Sequence, residues 1–158
     1  MTRWGIGPIY AAGSIILVAV LSNINISFFP TLIMPYHLFA SGLGIGLITV
    51  GVAIFVIALV QVHSAFSDRR LVTSGVYAYM RDPVYAVWIL FIVPGLILIM
   101  GMLLLTIAPF LMYLLLKALI GREEAYMELT FGKEYLDYKS EVNSVIPRLM
   151  KRSKTRSL

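Results

Sequence analysis

Two short polar blocks interrupt an otherwise apolar chain, and their residue types suit ionic and acid–base chemistry. The first runs Leu71-Val72-Thr73-Ser74-Gly75-Val76-Tyr77-Ala78-Tyr79-Met80-Arg81-Asp82-Pro83-Val84-Tyr85, directly after Arg69 and Arg70. The second is Arg122-Glu123-Glu124, shortly after Lys117. A carboxylate can take a proton or hold a cation, a tyrosine face can stack on a planar ring, and a lysine can orient an anion. Glu124 and Asp82 are therefore the candidate proton acceptors, and Lys117 is the candidate anchor for an anionic headgroup. Each block also has an ordinary reading. Gly75 suits a turn, Pro83 the first position of a helix, the tyrosines an aromatic belt, and Lys117 an interface lysine whose ammonium reaches toward lipid headgroups. The chain has no cysteine, which excludes disulfides and thiolate catalysis, and its 2 histidines, His37 and His63, are too few for a histidine-built cage. No metal is expected.

The elements that must position these blocks are membrane helices. Hydrophobic residues make up 59% of the 158 residues and charged ones 13%, where soluble proteins average about 45–50% and about 25%. Mean hydropathy is +0.88. A bilayer core about 30 Å thick takes about 20 apolar helical residues, and four stretches approach that length: Gly7 to Ser22, extendable to Asn25; Leu38 to Val62; Val84 to Met100; and Met102 to Leu119. The last two form a hairpin around Gly101, with kinks expected at Pro94 and Pro109. The predicted fold is all-α: a multi-pass transmembrane helical bundle of about four spans with a C-terminal cytoplasmic amphipathic helix. As one membrane domain, 1–62 holds the first two spans, 63–83 a cytoplasmic loop and 84–120 the hairpin. Residues 121–148 form amphipathic helices broken near Phe131-Gly132, and 149–158 a basic tail. The first apolar run, with no cleavage-like site after it, reads as a retained span.

With four spans, all 13 lysines and arginines and all 8 carboxylates fall on one side. By the positive-inside rule that side is cytoplasmic, and so are both termini. The pI near 9.6 then reflects membrane orientation and attraction to anionic lipids, with no nucleic acid expected as a partner.

Taken together, the blocks carry a family pattern. The sequence resembles the isoprenylcysteine carboxyl methyltransferases and their phospholipid N-methyltransferase relatives. The shared motifs are Leu71 to Tyr77, then Arg81-Asp82-Pro83-Val84-Tyr85, a helical hairpin, Glu123-Glu124, and Phe131-Gly132-Lys133-Glu134-Tyr135-Leu136-Asp137-Tyr138. This resemblance implies a membrane methyltransferase whose cofactor is S-adenosylmethionine. It assigns the cofactor pocket to Arg69, Arg70, Leu71, Val72, Tyr77, Asp82, Pro83, Val84, Tyr85 and Glu123. An earlier Gly-x-Gly of the phospholipid enzymes is matched by Gly42-Leu43-Gly44 or Gly44-Ile45-Gly46, or else these glycines serve helix packing.

Two positions depart from the family pattern. Asp82 replaces the usual histidine before proline, an anionic acceptor in place of a donor. Leu119 stands where the carboxyl methyltransferases carry an arginine thought to hold the substrate carboxylate, which makes a prenylcysteine carboxylate the less favoured acceptor. The expected acceptor is a lipophilic small molecule reaching the site from the bilayer between the later helices, with membrane lipids as the other partners. On an unbroken helix Tyr113, Lys117 and Glu124 would share one face, and Lys117 and Glu124 are the expected catalytic residues. The alternatives are an NADPH-dependent membrane reductase of the sterol-reductase type and a non-catalytic membrane scaffold that kept the fold.

Overall fold

The computed structural model describes residues 5–30, 37–67 and 70–147. Arg69 and the basic tail at 149–158 lie outside the described residues. The first span is α1 (Gly7–Phe28) and the second is the long, continuous α2 (His37–Ser67). Both run past the ends read from hydropathy, because helix propagation does not stop where apolar residues do. A single 3₁₀ turn, Gly75–Ala78, follows in the connecting loop.

The third span is helical from Pro83 to Met100 but not uniform. It starts as α3 (Pro83–Val87), widens into a π turn at Trp88–Ile92, and continues as α4 (Val93–Met100). Pro94 has no N–H for the preceding turn, and the widened turn just ahead of it accommodates that loss. Gly101, at φ +67, ends α4 in the left-handed conformation and donates to the Ile97 carbonyl at 2.8 Å. After it comes a 3₁₀ stretch, Leu103–Ile107, and then α5 (Ala108–Leu119). Pro109 thus sits in the first turn of an α-helix, where its missing N–H costs nothing, rather than inside one.

Beyond α5 come α6 (Gly121–Phe131) and α7 (Lys133–Glu141), separated by Gly132 at φ +52. Three helices, Gly7–Phe28, Phe39–Ala65 and Pro83–Met100, are long and apolar enough to cross a membrane. A fourth span results if Leu103–Leu119 and Gly121–Phe131, bent by 46°, are taken together. All described regular elements are helical, as expected for a membrane bundle.

Two contacts hold the spans in register. At the crossing of α2 with α4 the backbones meet without side chains between them: a Cβ on Gly44 would lie 2.6 Å from the Gly95 carbonyl oxygen, and one on Gly95 2.7 Å from that of Gly44. Gly42 and Gly46 have nothing within 4 Å of such a Cβ. Of the alternatives left open for the glycine run, Gly44 therefore serves helix packing. Gly44→Ala is expected to destabilise the protein by about 1–3 kcal/mol through overpacking against backbone. Gly42→Ala and Gly46→Ala should change stability by no more than about 0.5 kcal/mol. Thermal unfolding of the three variants in detergent checks the contrast.

Asn25, 2% exposed, ties α1 to the hairpin. Its Oδ1 accepts from the Leu104 N–H at 3.1 Å and its amide donates to the Phe29 carbonyl at 3.3 Å. A buried amide in a span needs such partners.

Candidate functional site

The loop after α2 is folded inward, held from three directions. From α2, Gln61 Oε1 accepts from the Val76 N–H at 3.2 Å. Gly75, at φ +62, passes so close that a Cβ there would lie 1.9 Å from the Gln61 amide nitrogen. From α7, the Tyr138 hydroxyl donates to the Tyr77 carbonyl at 2.6 Å. From the segment after α7, the Asn143 carbonyl accepts from the Arg81 N–H at 2.7 Å and the Ser144 carbonyl from the Asp82 N–H at 2.9 Å. The apolar face of Tyr135, Tyr138 and Val142 packs on Leu71, Met127 and Phe131. Protein therefore covers that face of α7.

Inside this wrap lies a cluster of ionised side chains. Arg81 is 9% exposed. Its guanidinium makes an ion pair with Glu124 Oε1, lies 5.9 Å from the Tyr135 ring centroid, and stands with Nε 3.6 Å from Asp82 Oδ2. Lys139 holds the other Glu124 oxygen at 2.9 Å. Asp82 Oδ2 is buried and has no hydrogen-bond partner among the described residues. Desolvation by burial holds the Asp82 carboxyl above its ordinary value, opposed first by the Ser144 side chain and then by the adjacent Arg81 charge. Tyr77 is also pushed up, first by burial and then by the Asp82 and Glu123 charges.

Glu123 faces away from this ion pair. Its carboxylate accepts from the Tyr85 hydroxyl, at 3.2 Å to Oε1 and 3.1 Å to Oε2, and from the Ile6 N–H at 3.1 Å. Pro83 occupies the first turn of α3, and the Asp82 carbonyl accepts from the Tyr85 and Ala86 N–H groups at 3.1 and 3.0 Å. That short helix start swings Tyr85 toward Glu123.

The residues expected at the cofactor site are thus brought together, but in two groups. Tyr77, Asp82, Pro83, Tyr85 and Glu123 belong to the buried cluster, with half-buried Val84 on the same helix start. Arg70, Leu71 and Val72 instead line a cavity of about 300 Å³ against α2, with Gln61, Ser64 and Ser74. A second cavity of about 470 Å³ shares Gln61 and is lined mainly by Ile54, Ile57, Val76, Met80 and Pro147. Lys117 does not join either group. It is exposed and stands 5.6 Å from the Tyr113 ring centroid, and the bend between α5 and α6 removes the single face it would have shared with Glu124.

Sequence reasoning did not single out Gln61, Lys139 or Ile6. An uncharged span ending in an amide was a readable signal for Gln61. For Ile6 the contact is carried by a backbone N–H, which side-chain patterns do not register.

Comparison with known proteins places this architecture. A family model for the isoprenylcysteine carboxyl methyltransferase family matches residues 39–129, more than half of the chain. A protein-S-isoprenylcysteine O-methyltransferase of Dictyostelium discoideum is 36% identical over 80 residues, covering 51% of this chain and 34% of that protein. The B form from Arabidopsis thaliana is 27% identical over 141 residues, covering 83% of this chain and 71% of that one. The solved structure of the eukaryotic intramembrane Ras methyltransferase, an isoprenylcysteine carboxyl methyltransferase, superposes with a TM-score of 0.67 at 28% identity, over 89% of this chain and 53% of that chain. The chain spans only 34% and 31% of the Dictyostelium discoideum and Tribolium castaneum relatives. With its motif residues gathered around one inward-folded loop, and more than half its length matched, this integral membrane chain belongs to the isoprenylcysteine carboxyl methyltransferase family.

Proposed function

We propose that this chain is an S-adenosylmethionine-dependent methyltransferase acting on a lipophilic acceptor at the cytoplasmic face of its membrane, with both termini on that side. The observation that carries the reading is the charge balance of the buried cluster. Among the described residues, Asp82 and Glu124 pair with Arg81 and Lys139, both cations are engaged by Glu124, and Glu123 lies outside that ion pair. Asp82 Oδ2 is left buried without a hydrogen bond, and burying such an oxygen is costly unless a partner arrives. S-adenosylmethionine fits, since it presents a sulfonium and an ammonium together with ribose hydroxyls. When bound, it supplies an activated methyl group.

The chain's own residues then have limited tasks, because methyl transfer needs chiefly alignment and exclusion of water. Asp82 and Glu123 hold positive charge, and Tyr77 and Tyr85 close the site around them. Glu124, with a cation on each oxygen, is a positioning residue rather than the proton acceptor. For an amine acceptor, Asp82 Oδ2 is the better base, since burial raises its proton affinity. Arg70, Leu71 and Val72 form the wall of the smaller cavity, whose volume lies near the lower end of ligand pockets, about 300–1,000 Å³. The larger cavity is mostly apolar and suits the hydrocarbon of the acceptor, which supports an approach beside α2 rather than between the later helices. Leu119 offers no charge to a substrate carboxylate, and Lys117 points elsewhere.

Titration of the purified protein with S-adenosylmethionine and with NADPH tests this reading. Binding of S-adenosylmethionine alone is expected. Binding of NADPH alone would establish the reductase reading, and binding of neither the scaffold. Extraction of lipids after incubation with methyl-labelled cofactor then identifies the acceptor, with N-acetyl-S-farnesylcysteine and phosphatidylethanolamine vesicles supplied as the competing probes.

A further inference from the structure

If Glu123 belongs to the cofactor site, as the reading above holds, whatever grips its carboxylate decides which oxygen a ligand can reach. The grip comes from the start of the first span, 117 residues away in sequence, where the Ile6 N–H donates to Oε1 at 3.1 Å. That turn is anchored. Ile6 is 4% exposed and Tyr10, one turn on, is 2% exposed. The Tyr10 ring meets that of Tyr85 edge-on at 5.0 Å. Gly5, at φ +52, runs so close to the carboxylate that a Cβ would lie 1.8 Å from Oε1. The start of α1 has no side-chain cap, so the carboxylate serves as acceptor at the positive end of the helix. Among the described residues, Oε1 thus receives the Ile6 N–H and a share of the Tyr85 hydroxyl, while Oε2 receives only the Tyr85 hydroxyl.

We propose that the first turn of α1, through Gly5 and Ile6, is a positioning element of the cofactor site that fixes Glu123 by Oε1 and leaves Oε2 as the acceptor for a ribose hydroxyl or ammonium. The family-model match begins at residue 39, so this turn lies outside the matched region. It makes the first span part of the site and not only a membrane anchor.

A double-mutant cycle on the full-length protein in detergent tests it, with S-adenosylmethionine affinity as the readout for wild type, Gly5→Ala, Glu123→Ala and the pair. In the wild-type background the added methyl group displaces the carboxylate, and binding should weaken about tenfold, the effect of losing one well-placed hydrogen bond. In the Glu123→Ala background there is no carboxylate to displace, and the same substitution should change affinity by less than about twofold. Equal losses in both backgrounds would mean that Gly5→Ala acts only through backbone strain, and would overturn the proposal. Hydrogen exchange supplies a second measurement that needs no ligand: the Ile6 amide should exchange faster in Glu123→Ala, while amides in the middle of α1 do not change. Unaltered Ile6 protection would also overturn it. A wild type that binds no S-adenosylmethionine sinks the cofactor reading and this inference with it, whereas normal binding with additive mutant effects sinks this inference alone.

Discussion

Arg81→Ala is expected to lower the stability of the protein in detergent by about 3 kcal/mol, the low end of the range for removing one member of a buried ion pair. The Arg81 side chain is 8% exposed and that of Glu124 20%. Removing the guanidinium leaves Asp82 with no counter-charge and takes a cation from the face of Tyr135. The loss stays at the low end because Lys139 remains on the other Glu124 oxygen. Lys139→Ala should cost much less, about 0–1 kcal/mol, since that ammonium is substantially exposed and screened by water. Arg81→Lys should recover only part of the loss, because an ammonium is a compact point charge and lacks the guanidinium fork that stands against both Glu124 and Asp82. Thermal unfolding of the three variants is the measurement, and a loss for Lys139→Ala as large as for Arg81→Ala would show that the cluster is not organised around the arginine.

Asp82→Asn should move stability and ligand binding in opposite directions. Burial raises the proton affinity of Asp82 in the folded protein, so the native state keeps a proton at pH values where the unfolded chain has released it. The linked stability is complete below the ordinary carboxyl value and is lost as pH rises through the raised native one. Above that raised value the wild type therefore carries the cost of a buried ionised oxygen. Asparagine has no such charge, and Asp82→Asn should be more stable above that raised value by on the order of 1 kcal/mol, the general cost of an unsatisfied buried group. That advantage should disappear as the pH falls below about 4. The same substitution removes the excess anion that the cofactor reading requires and should weaken S-adenosylmethionine binding at least tenfold, given that charged hydrogen bonds are worth about 1.5–3 kcal/mol. Unfolding curves across pH, paired with binding at pH 7, check both halves. A variant that is less stable at neutral pH would mean that the Arg81 charge, not burial, dominates the site. Gains in stability that cost function are the common pattern at sites carrying uncompensated charge.

Much of the bundle was legible because a bilayer imposes a coarse rule on sequence. A long uncharged run such as that of α2 has few options other than a spanning helix, and Gly101 and Gly132 mark helix ends where a left-handed or otherwise strained residue is needed. The gathering of the two polar blocks was legible too, since charges confined to one side of a membrane must meet in a thin layer. The individual contacts were not. Lys117 and Glu124 share a face only on a straight helix, and the bend after Leu119 depends on how α6 and α7 fold back onto the loop. Gly44 and its neighbours are alike in sequence, and only the crossing of α2 with α4 separates the packed glycine from the open ones.

The sequence by itself determined that the chain is a helical membrane protein and which motifs must share one face, since hydropathy and charge act through the solvent and need no knowledge of neighbours. Only the tertiary structure decided that Arg81 and Lys139 take up Glu124, that Asp82 Oδ2 is buried without a hydrogen bond among the described residues, and that Ile6 at the start of the first span holds Glu123. Hydrogen bonds and ion pairs act over about 3 Å, and whether two groups come that close is fixed by packing between segments that lie far apart along the chain.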